Sequence, residues 1–182
     1  PDAEISSVRL ADDEKNMAFY ASSGRIPRDL FYAEIGGSAA TQLTTSLPSA
    51  IDEQNLVEGT VARFASYDGL DVPGILYRPH QASTDNPVPA LVWVHGGPGG
   101  QSRLGYIDVI QYLVNHGVAI YAINNRGSSG YGKTFYHLDD RKHGDADLDD
   151  VVASKQMLIN TGWVDPEAIG IIGGSYGGYM TL

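Results

Sequence analysis

The chain has 182 residues, a formal net charge of −10, 42% hydrophobic and 19% charged residues. That composition fits a soluble globular protein of one domain or parts of two, and no apolar run reaches the roughly 18 residues that span a bilayer. The acidic balance would repel nucleic-acid phosphates, and zero cysteines exclude disulfides and thiolate metal sites.

The N-terminus lacks the basic-then-apolar pattern of a secretory signal. The expectation is a soluble protein, cytoplasmic rather than secreted, with no nucleic-acid or membrane partner. The chain begins at Pro1 and ends in the apolar stretch Tyr179-Met180-Thr181-Leu182 without a helix stop signal, as an internal fragment would.

Residues 1–50 carry short strand signals. Met17–Tyr20 and Leu30–Ile35 hold aromatic residues favoured in strands, separated by the turn clusters Asp12–Asn16 and Gly36–Ser38. Two or three antiparallel strands are predicted, too few to bury a core alone. Ser49–Gly59 reads as a linker. Val61–Ser66 and Leu70–Tyr77 then read as strands flanking the turn Tyr67-Asp68-Gly69.

Ala90–Val94 is a continuous apolar run, as in a strand buried on both faces. A helix is predicted near Leu104–Asn115, and a second buried strand over Val118–Ile123. Ala146–Ile159 reads as a helix. Asp145 and Asp147 lie near its positive end, and Leu148, Val151, Val152, Leu158 and Ile159 fall mostly on one face. Gly162 closes it, and Ala168–Ile172 is the last strand. Alternating strands and helices imply a mostly parallel sheet with crossover helices.

Directly after that strand comes Gly173-Gly174-Ser175-Tyr176-Gly177-Gly178, which fits G-x-S-x-G. A serine on a sharp strand-to-helix turn needs glycines around it, because side chains there would collide with strand and helix. Gly173, Gly177 and Gly178 are assigned that part. The Ser175 hydroxyl then projects above the sheet, and the Tyr176 N–H at the new helix start can stabilise an oxyanion.

His95-Gly96-Gly97-Pro98 follows the strand Ala90–Val94, where α/β-hydrolases place the second oxyanion donor. Gly97 is favoured, since Pro98 has no N–H. His95 and Gly96 line the site, with His95 expected to hydrogen-bond structurally rather than shuttle protons. In this fold the triad runs in the order Ser, Asp/Glu, His. All five histidines precede Ser175, so the remaining triad members are expected outside this sequence, and the fragment alone is expected to be inactive.

Two other classes compete. Gly127–Thr134 matches the phosphate-loop pattern G-x-x-x-x-G-K-[ST] after a strand, which would imply a nucleotide-binding protein. Against it, Asn124-Asn125-Arg126 separates strand from loop, and residues 135–142 lack the apolar period of a buried helix. A non-catalytic binding protein with a vestigial hydrolase domain is the other alternative.

Taken in order, four stretches resemble the prolyl oligopeptidase family of serine peptidases, closest to its acylaminoacyl-peptidase and dipeptidyl-peptidase-like branch. They are His95–Pro98, Asn125–Gly132, Asp147–Val151 and Gly173–Met180. The resemblance implies that residues 1–56 are the last blade of a β-propeller plus linker. It implies that residues 57–182 are the N-terminal portion of an α/β-hydrolase domain. Ser175 would be the nucleophile, Gly97 and Tyr176 the oxyanion donors, and short peptides the substrates, with no metal or cofactor. His143-Gly144 departs from the Trp-Gly of many relatives and puts local packing in question. Proline iminopeptidases, which share His-Gly-Gly-Pro-Gly (here His95–Gly99), and esterases of the same fold are nearer alternatives.

Overall fold

The computed structural model describes residues 3–182. They gather into two compact units: one runs to Glu58 and adds Leu104–Gln111, the other comprises Gly59–Arg103 and Tyr112–Leu182. Among the described residues, no helix is long and apolar enough to cross a membrane.

The first unit is an antiparallel sheet of β1 (Glu4–Leu10), β2 (Asn16–Ser22), β3 (Asp29–Glu34) and β4 (Ala40–Gln42), hydrogen-bonded in that order. Four strands stand where two or three are predicted. β1 is largely exposed and β4 is three residues long, so neither has the buried alternation that marks a strand in sequence. The core here is small: Phe19, Ala21 and Ala33 are buried, and Phe19 stacks on Phe31 at 5.8 Å. Asp13 makes the β1–β2 turn by accepting the amides of Lys15 at 2.9 Å and Asn16 at 3.2 Å.

Asp29 is buried, which opposes its charge. Bonds from Thr44 Oγ1 (2.7 Å), Ser46 Oγ (2.8 Å) and Ser46 N (2.9 Å) outweigh burial and hold its carboxyl below the usual range. The predicted linker is ordered: a 3-10 turn at Glu53–Asn55 is capped by Asp52, and Leu56 and Val57 are buried. Buried Gln111 secures it, donating to Gly24 O (2.7 Å) and Val57 O (2.8 Å) and accepting from Val57 N (3.0 Å).

The second unit is built on five strands, β5 (Thr60–Ala65), β6 (Asp71–Tyr77), β7 (Val88–Val94), β8 (Ala119–Ile123) and β9 (Val164–Gly173), in spatial order β5-β6-β8-β7-β9. This sheet is mixed rather than mostly parallel. The turn at Gly69 (φ 84°) folds β6 back on β5, and β6 then meets β8 antiparallel; the β7–β8 and β7–β9 pairs are parallel. A tight two-strand turn dictates antiparallel pairing, and crossover segments after β7 and β8 dictate the parallel part.

Helices follow the strands: α1 (Asp108–Asn115), α2 (Lys133–Tyr136), α3 (Ala146–Asn160) and α4 (Tyr176–Tyr179). The first begins four residues later than Leu104, where the sequence reading starts it. In α3 the buried stripe is Ala146, Asp147, Asp150, Val151, Ser154 and Leu158, a 3–4 spacing that leaves Val152 exposed rather than on the apolar face. Val151 and Leu158 join Val92, Val94, Tyr121, Ile123, Trp163 and Met180 in the main core.

Candidate active site

The site forms because β7 and β9 run parallel in register, with Val94 opposite Gly173. Their C-terminal ends therefore release two loops side by side, the place where open α/β sheets bind ligands. From β9 the chain turns through Gly174 and Ser175 into α4. From β7 it passes into His95, Gly96 and Gly97.

Ser175 has φ 55° and ψ −123° and precedes the first residue of α4, Tyr176. A non-glycine residue there stores about 1–3 kcal/mol of backbone strain, tolerated only where the surroundings enforce it. The enforcement is visible at Gly177. A Cβ there would strike the Val94 carbonyl oxygen and lie 2.8 Å from Val94 C and 3.0 Å from His95 O. Rigid strand backbone cannot yield as a flexible side chain would. Gly177→Ala is expected to destabilise the intact protein by about 3 kcal/mol, the upper end of overpacking costs, measured as a lowered thermal midpoint. Gly178→Ala is the control, because its Cβ would meet only Gly173 O at 3.6 Å. Gly178 is thus not required sterically, contrary to the sequence reading, whereas Gly173 is, its Cβ running into the Gly177 carbonyl.

The loop after β7 lies against Ser175. A Cβ on Gly96 would be 3.2 Å from Ser175 Cβ and 3.6 Å from its Oγ. Gly97 has φ 138°, which only glycine adopts readily, and it is exposed beside Pro98. Gly96 thus meets Ser175 at one end of the sheet, with Gly97 and Tyr176 next to them in the chain.

His95 faces away from this chemistry. Its Nε2 lies 2.8 Å from Ser128 Oγ and its Nδ1 2.8 Å from Gly96 O. Nδ1–H donates to the Gly96 carbonyl, and Nε2 rests against the Ser128 hydroxyl, which itself donates to Asn125 O at 2.6 Å. Burial lowers its pKa, partly opposed by the Gly96 bond. The folded protein then binds a proton less readily than the unfolded chain. Stability is retained above the ordinary value of 6.5 and is lost as pH falls below it toward the depressed value. The intact protein is expected to lose more thermal stability between pH 7.5 and 5.5 than its His95→Gln variant; equal slopes would remove this role. His116, His137 and His143 are engaged elsewhere, with Tyr112 O, Asp140 and Asp139.

Behind the site, Arg126 is buried and doubly paired. Its Nε and Nη2 donate to Asp150 at 2.9 and 2.8 Å, and Nη1 and Nη2 to Asp68 at 2.9 and 3.0 Å. These bonds, Asp150's foremost, raise the guanidinium's pKa further, and the Arg126 bond holds Asp68 below the usual carboxylate range. The face of Tyr67 lies 4.8 Å from the charge. Spacing alone did not reveal this anchor. The available signal was Asp147 and Asp150 at i,i+3 on what proved the buried face of α3.

The phosphate-loop match at Gly127–Thr134 has a different job. The amides of Gly127, Ser128 and Ser129 donate to Phe135 O, Asn125 O and Gly100 O, so they are not turned toward a phosphate. Lys133 is exposed, at the start of the four-residue α2.

A serine in a strained turn between a parallel strand and a helix, with a glycine loop from the neighbouring strand beside it, has the geometry of the nucleophile elbow of α/β-hydrolases. Residues 106–182 match the model of the prolyl oligopeptidase family. The chain is 32% identical to the uncharacterized peptidase YuxL of Bacillus subtilis, covering 97% of this chain and 27% of that protein. It is 30% identical to dipeptidyl aminopeptidase BIII of Pseudoxanthomonas mexicana, covering 97% and 26%. The solved acylaminoacyl peptidase of Pyrococcus horikoshii superposes with a TM-score of 0.82 at 26% identity, over 100% of this chain and 28% of that one. The chain is thus similar to the prolyl oligopeptidase family, and it spans about a quarter of the length of these relatives.

Proposed function

We propose that this chain is the nucleophile-bearing part of a serine peptidase that hydrolyses peptide bonds in short peptides through an acyl-enzyme on Ser175. The observation that carries this is the strained Ser175 set against Gly96, with the Tyr176 and Gly97 amides at the same end of the sheet. The peptidase names of the relatives support the choice of substrate class.

In the reaction, Ser175 Oγ attacks the scissile carbonyl carbon while a histidine takes its proton. The N–H groups of Gly97 and Tyr176 donate to the oxyanion that forms. The C–N bond then breaks, the amine leaves with the proton from the histidine, and water hydrolyses the ester to regenerate the serine. That histidine and its orienting carboxylate are supplied by residues outside this sequence. Residues 1–56 are one blade of a β-propeller with its linker, consistent with four antiparallel strands in sequential order. Residues 57–182 are the first portion of the hydrolase domain.

A fluorophosphonate probe on the intact protein tests the reading. Covalent labelling that disappears in Ser175→Ala is expected. Failure to label, or labelling that survives the substitution, overturns it in favour of a non-catalytic binding role.

A further inference from the structure

Helix α4 has four residues, too short to fix its own orientation through backbone bonds. Its first residue nevertheless carries an amide that has to point at a developing charge. The side chain of that residue has an anchor. Tyr176 O–H donates to Asp147 Oδ2, which ties the phenol to a buried carboxylate. Burial first, and then this bond, raise the phenol's pKa, so the hydroxyl keeps its proton.

Asp147 is itself immobile. It is fully buried near the start of α3, and its Oδ1 accepts from the amides of Gly144 (2.8 Å), Leu148 (3.0 Å) and Asp145 (3.2 Å). The Tyr176 ring is also bracketed. The His143 ring meets it edge-on at 5.7 Å, and Tyr179 lies tilted against it at 5.6 Å. His143 is held by buried Asp139, whose Oδ2 is 3.4 Å from His143 Nε2.

We propose that Asp147 is a positioning residue: through the Tyr176 hydroxyl it fixes the direction of the Tyr176 amide toward the oxyanion. This rests on the assignment of that amide under the proposed peptidase function. The carboxylate is bound to the core on one oxygen and grips the elbow with the other. A tyrosine has few rotatable bonds, so holding its hydroxyl restrains the backbone to which it is attached. The interaction matters when charge develops on the substrate oxygen, and not when substrate merely binds.

The test compares Tyr176→Phe, Asp147→Asn and the double variant in the intact protein, with Ser175→Ala as control. Each single variant is expected to lower kcat about tenfold, less than the roughly hundredfold or more that losing an oxyanion donor outright costs, with KM nearly unchanged. The double variant should lose no more than either single one. Affinity for a peptide aldehyde, whose serine adduct carries the oxyanion, should fall with kcat, while affinity for the product peptide holds. Tyr176→Phe deletes one hydroxyl only, so it keeps the test open if Asp147→Asn fails to fold.

Unchanged kcat and aldehyde affinity in Tyr176→Phe, or losses that multiply in the double variant, overturn the proposal. If Ser175→Ala still turns over substrate, the peptidase reading falls and this one with it. If Ser175→Ala is dead and Tyr176→Phe is fully active, only the positioning role falls.

Discussion

Replacing Ser175 by alanine is expected to lower kcat on a chromogenic peptide substrate by on the order of a million-fold, the loss seen when an acyl-transfer nucleophile is removed. The size follows from what the substitution removes and what it leaves. Alanine keeps the Cβ, so the φ of 55° remains as strained as before and nothing is gained or lost in the turn. The Ser175 side chain makes no capping bond to α4. Fold and midpoint should therefore stay close to wild type. The proposed oxyanion donors also remain, leaving the residual acceleration that such sites retain without a nucleophile. Steady-state kinetics and a melting curve on the same preparation check both halves. Activity within tenfold of wild type would remove Ser175 from the reaction.

Arg126→Ala is expected to cost the intact protein about 3–5 kcal/mol, the penalty for leaving a buried charge without its partner. Asp150 is fully buried, and losing Arg126's side chain leaves its carboxylate with two donors, Ser66 Oγ at 2.6 Å and the residue 126 amide at 2.8 Å. Asp68 is largely exposed and regains water, so it adds little to the loss. Lysine should not rescue the site, because a single ammonium cannot reproduce two forked contacts at once.

Removing both partners is the informative variant. Arg126→Met with Asp150→Leu should recover most of the lost stability, since a packed apolar pair no longer carries an unpaired charge. Thermal midpoints of the single and double variants measure this, and equal losses in both would refute the account. Activity should follow stability, because the loop that Arg126 anchors also supplies Ser128 to His95 and receives support through Ser129 N to Gly100 O at 2.9 Å.

Much of the site was legible in the residues. Gly173–Gly178 and His95–Pro98 are local motifs whose geometry depends on a few neighbouring torsions, and so are readable from short spans. The central strands were legible for a similar reason, as apolar runs: Ala119–Ile123 is covered on both faces, whereas Ala90–Val94 buries one face and leaves Leu91 and Trp93 half-buried on the other. The edge strands were harder. β1 and β4 bury almost nothing, and their pairing partners decide that they are strands at all.

The sequence by itself determined the chemical identity of the site: a serine, two glycine-rich turns, and the apolar strands that precede them. These depend on local backbone limits, which act over a few residues and leave a direct mark on residue choice. Only the tertiary structure decided that β7 and β9 lie in register, so that Gly96 meets Ser175, and that β6 enters the sheet antiparallel. It also decided which polar side chains are structural. Asp150 pairs with Arg126 across 24 positions, and Asp147 with Tyr176 across 29. Such pairs form because burial makes an unpartnered charge costly, and the partner can stand anywhere along the chain that the fold brings near.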